Sequence, residues 1–201
     1  MTEKSYSLII AGVGGQGNVL ASNIVAEVAL GDGYKVRVAE TYGGAMRGGA
    51  VFSLVRFGEG IESPMIYEDS LDVLVGLEPT EALRQGVQYL SPNGEAIINT
   101  VPIMSADVNL GLAEYPGTEK IIESLRQLCR KVTSFDATAA ARKAGSPRSL
   151  NMVMIGALAE SKLLPFSSET FEQAILKRVP KGTEGANLGA FNAGRTAYKT
   201  A

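Results

Sequence analysis

Histidine and tryptophan are absent from the 201 residues, and cysteine occurs once, at Cys129. Without histidine there is no Ser-His-Asp or Cys-His triad and no imidazole metal ligand. A single cysteine excludes an internal disulfide and fits a reducing compartment. It also falls short of the roughly four thiolates that an iron–sulfur cluster takes. Cys129 continues the stripe Ile121, Leu125, Leu128, which marks it as a buried core thiol. Any electron carrier is therefore an organic cofactor or belongs to another chain. No stretch approaches ~18 uninterrupted apolar residues, so no membrane span is expected. Residues 1–5 are polar and the apolar run 8–11 ends at glycine, which is not the pattern of a signal peptide. Neither sign of charge is in excess: 19 Lys and Arg stand against 21 Asp and Glu. The net charge of −2 gives no long-range pull toward nucleic acid or an anionic membrane. The expected location is cytoplasmic.

A hydrophobic content of 45% is ordinary for a globular protein, and residues 1–201 read as one domain without repeats or linkers. The first half alternates strand and helix patterns. Residues 6–11, 35–40, 50–56, 71–77 and 95–99 read as strands, with helices over 18–30 and from Pro79 to about residue 89. Gly58 and Gly60 turn residues 50–56 into 61–67, which predicts an antiparallel excursion at one edge of the sheet. Pro92-Asn93-Gly94 reads as a turn. The second half is more helical, over 118–130, 137–143, 149–162, 168–178 and about 184–198, with a short strand over 132–135. Residues 101–117 carry no readable period. The pattern predicts a doubly wound, mostly parallel α/β sheet, Rossmann-like, with helices on both faces and a helical C-terminal half.

Gly12-Val13-Gly14-Gly15-Gln16-Gly17 fits G-x-G-x-x-G between a strand and a helix. Such glycines permit a tight turn, close backbone approach to a ligand, and close packing of helix on strand. The first amides of the helix beginning at Asn18 then face an anion. No Lys-Ser or Lys-Thr follows, so this is no Walker A loop. A packing role for the glycines remains open. So does a nicotinamide site, because Glu40 ends the second strand where a ribose-binding carboxylate belongs.

A second glycine loop runs from Tyr42 through Gly43, Gly44, Ala45, Met46 and Arg47 to Gly48 and Gly49. It sets one planar guanidinium fork, suited to phosphate or carboxylate, among glycines at the carboxyl end of a strand. Capping of its own loop carbonyls is the structural alternative for Arg47. Four blocks, GVGGQG, ETYGGAMRGG, SLVRFGEGIESPMI and LDVLVGLEPTEALR, follow in order. Asp136-Ala137-Thr138, the run from Asn151 to Ala157, Asn187-Leu188 and Ala190-Phe191 come after them. Together they resemble the gamma-type domain of 2-oxoacid:ferredoxin oxidoreductases over about residues 7–195, with the indolepyruvate branch nearest in pattern. The sequence departs from that branch at Met46, where a glutamine is usual.

The resemblance implies a subunit of a hetero-oligomeric enzyme that oxidatively decarboxylates an aryl-pyruvate-like 2-oxoacid to an acyl-CoA and reduces ferredoxin. It further implies that thiamine diphosphate, Mg2+ and the iron–sulfur clusters are held by partner subunits. This chain would cover the active site and contact coenzyme A. The candidate ligand-binding residues are then Gly12, Gly14, Gly15, Gln16, Gly17, Asn18, Tyr42, Arg47, Gly48 and Gly49. A catalytic acid or base could only be Asp, Glu, Lys, Tyr or Cys129. None stands in a catalytic constellation, and no catalytic or metal-binding residue is assigned. Glu78 and Asp136 read as helix caps, and Met152 and Met154 as packing residues. A free-standing dehydrogenase and a non-catalytic scaffold are the competing readings.

Overall fold

Alternation along the first strand, β1 (Tyr6–Val13), sets the layering. Leu8 and Ile10 enter one apolar cluster while Ile9 and Ala11 enter another, and all are fully buried. Both faces of the sheet are therefore covered, as the period of two requires. In this computed structural model, which describes residues 5–43 and 49–201 (backbone only for Ala106 and Asp107), the sheet continues with five more strands. These are β2 (Val36–Tyr42), β3 (Ala50–Phe57), β4 (Leu71–Gly76), β5 (Leu90–Asn99) and β6 (Lys131–Phe135). On the first face pack α1 (Asn18–Gly31), α5 (Ala137–Lys143), α6 (Leu150–Ser161), α7 (Ser168–Arg178) and α8 (Glu184–Thr200). On the second lie α2 (Pro79–Tyr89) and α4 (Thr118–Leu128). A short helix, α3 (Ala106–Asn109), stands in the stretch that has no period in the sequence.

The strand order is β2-β3-β1-β4-β5-β6. β1, β4, β5 and β6 are mutually parallel, and β3 runs antiparallel to both its neighbours. The sheet is thus mostly parallel and doubly covered, but the antiparallel excursion differs from the one expected. Residues 61–67 form no strand. β3 pairs with β2 across residues 43–49, from Tyr42↔Val51 to Val36↔Phe57, and its other edge is taken by β1. No edge is left for a third partner, and Pro64 has no N–H to give. Arg56 Nη1 instead donates to the carbonyls of Ser63 and Met65, at 3.2 and 2.7 Å, and holds the segment irregular. Pro92-Asn93-Gly94 likewise lies inside β5, where the register with β4 shifts.

The expected caps are in place. Glu78 accepts from the Glu81 amide at 2.9 Å and Asp136 from the Ala139 amide at 2.6 Å. Cys129 is a correction: it follows α4 and is half-buried, against the second cluster instead of inside it. Its thiol is held at Leu125 O, and burial pushes its pKa up, away from the reactive thiolate.

Helices α6 and α8 are joined at the surface by an ion-pair network. Arg195 Nε donates to Glu160 at 3.0 Å, and Lys199 lies 3.2 Å from the other oxygen. The hydrogen bond from Arg195 is the chief cause that holds the Glu160 carboxyl below its usual 4.5. This contribution is present above the unfolded carboxyl pKa and is lost as pH falls through the lowered folded value. In thermal melts Glu160→Gln is expected to cost about 1 kcal/mol at neutral pH. The difference from wild type should shrink as pH falls through the lowered folded value; a deficit as large in acid as at neutral pH would place the cost in packing.

Candidate functional site

In an open α/β sheet, ligands lie beyond the carboxyl ends of the strands, where the chain direction of winding reverses. Here that point is between β1, whose chain winds toward β2, and β4, from which it winds toward β5 and β6. The turn after β1 is the Gly12-to-Gly17 loop. Its polar side chains are turned inward. Gln16 Oε1 accepts from the Val13 amide at 2.8 Å, and its Nε2 donates to Leu77 O at 3.0 Å, tying the ends of β1 and β4 together. Asn18 is buried and donates to Ile10 O and Val51 O at 3.3 and 3.1 Å. Its Oδ1 has no partner among the described residues.

The glycines divide into two kinds. A Cβ on Gly12 would stand 2.5 Å from Gln16 Oε1, and one on Gly17 2.3 Å from Asn151 Nδ2. These two serve internal packing, and Gly17, at φ 83°, also needs the left-handed conformation. Gly15 is different: it is exposed, has φ 100°, and a Cβ there meets nothing within 4 Å. It faces the cleft.

The two glycine loops meet. Gly14 N–H donates to Gly49 O at 2.9 Å across the two, while Gly43 N–H donates to Ala50 O at 2.7 Å at the base of the second. They border a groove of about 280 Å³ lined by Val13, Gly14, Gly15, Gly17, Asn18, Val19, Tyr42 and Val51. Arg47 and Gly48 lie outside the described residues. Helix α1 opens onto this groove with Gly17 at its N-cap, no acid in its first turn and, among the described residues, no side-chain cap. That leaves its N-terminal amides to water or to an anion. The neighbouring helix α2, by contrast, is capped by Glu78.

Glu40 does not reach β1. β3 is inserted between the two, so the carboxylate stands two strand spacings, roughly 10 Å, from the turn. It accepts instead from the Tyr42 hydroxyl, and that hydrogen bond pushes the exposed Tyr42 phenol up. A ribose contact of the dinucleotide type is not formed by this arrangement.

Several residues at the strand ends carry no motif signal. Asn99, buried at the end of β5, donates to Leu77 O at 3.0 Å and accepts from the Ala137 amide at 3.1 Å. It thereby fixes α5 against the ends of β4 and β5. Glu78, also buried, accepts from Tyr115 Oη at 2.9 Å and Ile103 N–H at 3.4 Å, which pins both ends of the segment 103–115. Burial, with the Glu78 carboxylate contributing, pushes the Tyr115 phenol up to about 12, so it remains a donor at any working pH. A second cleft of about 380 Å³ opens on the other side of Gly15 and Gln16, toward Asn99, Thr138, Arg142 and Arg148. A larger hollow of about 610 Å³ lies among Tyr6, Tyr34 and Gly60, at the opposite end of the sheet where β1 begins. Among the described residues no group of His, Cys, Asp and Glu could hold a metal ion. None of the described helices is long and apolar enough to cross a membrane.

Comparison with known proteins gives a consistent result. Residues 7–197 match the pyruvate ferredoxin/flavodoxin oxidoreductase family. The chain is 40% identical over 199 residues to indolepyruvate oxidoreductase subunit IorB of Thermococcus kodakarensis, covering 98% of this chain and 97% of that one. It is 34% identical over 200 residues to 2-oxoglutarate synthase subunit KorC of Methanothermobacter thermautotrophicus, covering 97% and 96%. Among solved structures, the gamma subunit of keto/oxoacid ferredoxin oxidoreductase from Geobacter sulfurreducens superposes with a TM-score of 0.70. That protein is 27% identical, with 98% of this chain and 99% of that one covered.

Proposed function

Because the chain belongs to the pyruvate ferredoxin/flavodoxin oxidoreductase family and is a subunit of a 2-oxoacid:ferredoxin oxidoreductase, we propose that it forms the coenzyme A side of an active site shared with a larger partner. The 2-oxoacid is of the aryl-pyruvate class, as in the indolepyruvate enzymes it resembles across nearly its whole length. The assembled enzyme would release the carboxylate as carbon dioxide, transfer the acyl group to the coenzyme A thiol, and pass the electron pair to ferredoxin. Thiamine diphosphate, Mg2+ and the iron–sulfur clusters belong to the partner in this reading. A single, half-buried cysteine supports the cluster part of this reading, since a cluster takes roughly four thiolates.

The observation that carries the coenzyme A assignment is the Gly14–Gly49 hydrogen bond. It joins both glycine loops into one surface beside the uncapped N-terminus of α1. A pyrophosphate there would accept from helix and loop amides and gain up to ~2 kcal/mol from the helix terminus. The partner has apolar surface to cover on the same side of the sheet, where Ile103, Met104, Leu110 and Leu112 are exposed beyond β5.

Reconstitution of the chain with its partner subunit tests the reading. Viologen or ferredoxin reduction should require both proteins and coenzyme A. It should also be fastest, by kcat/KM, with indolepyruvate or phenylpyruvate among a panel that includes pyruvate and 2-oxoglutarate. Equal turnover by the partner alone would sink the shared-site reading, and a preference for 2-oxoglutarate would overturn the substrate class.

A further inference from the structure

The cleft across the turn from the two-loop groove has a charge pattern that the glycine loops do not explain. Arg142 lies in the last turn of α5 and Arg148 in the 3₁₀ turn Pro147–Ser149, and both line the cleft. Neither side chain has a hydrogen-bond or ion-pair partner among the described residues. No Asp or Glu lines the cleft with them. In a protein whose net charge is −2, two exposed arginines thus line one cleft with no acidic residue beside them among the described residues. Its walls are Val101, Pro102, Ile103, Pro147 and Leu150. Asn99 fixes one side of it, bonding Leu77 O, Val101 O at 3.3 Å and Thr138 Oγ1 at 3.4 Å.

We infer that this pocket binds a terminal phosphate monoester, the 3′-phosphate on the adenosine end of coenzyme A. The inference rests on the coenzyme A reading above and extends it to residues outside both glycine loops. Paired planar forks match a dianion with several acceptor oxygens better than they match a single carboxylate. The apolar walls suit the flat base and ribose that carry it. Gly15 lines both hollows, so a ligand crossing the turn there lays its pyrophosphate toward α1 and its monoester toward the arginines. Coenzyme A carries both kinds of phosphate.

The test uses the reconstituted complex and compares coenzyme A with dephospho-coenzyme A, which lacks only the 3′-phosphate. Arg142→Gln and Arg148→Gln should each raise KM for coenzyme A about tenfold. The KM for dephospho-coenzyme A, the KM for the 2-oxoacid and kcat should stay in place. Arg148→Lys should recover only part of the loss, since an ammonium lacks the fork. Equal changes for both thiols, no change for either, or loss of subunit assembly in the glutamine variants would overturn the assignment, the last by making the pair a contact to the partner. Gly15→Ala separates the two readings. If it raises KM for both thiols while the arginine variants do not discriminate, only the arginine pocket falls. If it leaves both unmoved, the coenzyme A reading itself falls.

Discussion

Replacing Gly156 with alanine is expected to remove about 3 kcal/mol of stability and lower Tm by roughly 6–12 °C. The reason is the contact between α6 and α8. A Cβ on Gly156 would stand 1.9 Å from Phe191 O and 2.8 Å from its carbonyl carbon. On the facing helix a Cβ on Gly194 would stand 1.8 Å from Val153 O. These are backbone atoms, which cannot rotate aside as a side chain can, so the helices would have to part. Parting them opens a core in which Met152, Val153, Ile155 and Phe191 are all fully buried. Alanine is the better helix former by about 1 kcal/mol, but that gain is smaller than the clash. Gly189, on the exposed side of α8 with nothing within 4 Å of its Cβ position, provides the contrast. Gly189→Ala should stabilise by about 0.5–1 kcal/mol. Thermal melts of the two variants should move in opposite directions, and a Gly156→Ala protein as stable as wild type would refute the close helix contact.

Glu78→Ala is expected to cost about 3 kcal/mol and to free the segment 103–115. The carboxylate is 1% exposed and accepts from the Glu81 amide, the Ile103 amide and the Tyr115 hydroxyl. Alanine leaves all three donors without an acceptor and removes the cap of α2. Two measurements report it. Limited proteolysis should cut faster within 103–115, and the Tyr115 phenol should titrate below its present value of about 12, because one of the causes raising it is gone. Glu78→Gln keeps one acceptor oxygen and should fall between alanine and wild type. A proteolysis pattern unchanged in Glu78→Ala would show that the segment is held by other contacts.

These two residues also show where the sequence stops being readable. Glu78 is recognisable as a cap because a carboxylate before Pro79 at a helix start has a local reason. Its second role depends on Tyr115, 37 positions away, and nothing local announces that. Gly156 sits in a helix buried nearly all round, so no amphipathic stripe marks the face that touches α8.

The central strands β1 and β4 are legible from their apolar runs, because burial on both faces leaves few polar interruptions. The place of β3 is not. The glycines at 58 and 60 suggest a hairpin forward, whereas the pairing runs backward to β2 across residues 43–49. That loop lacks the two-residue turn chemistry that signals a hairpin. The same insertion removes Glu40 from β1 and with it the support for a dinucleotide site. Of the candidate binding residues, the structure brings Gly14, Gly15, Tyr42 and Gly49 to one surface and turns Gln16 and Asn18 inward. Arg142 and Arg148 carry no local signal, because basic residues near a helix end have an ordinary explanation in the helix dipole. Their shared cleft exists only after α5 is docked by Asn99.

The most direct measurement of the central claim is the coenzyme A dependence of the reconstituted complex carrying Gly15→Ala. The added methyl clashes with none of the described residues and points into the cleft, at the cost of some backbone strain at φ 100°. Normal assembly, an unchanged KM for the 2-oxoacid, and a KM for coenzyme A raised about tenfold or more are the predicted result. An assembled complex whose KM for coenzyme A equals that of wild type would contradict the account.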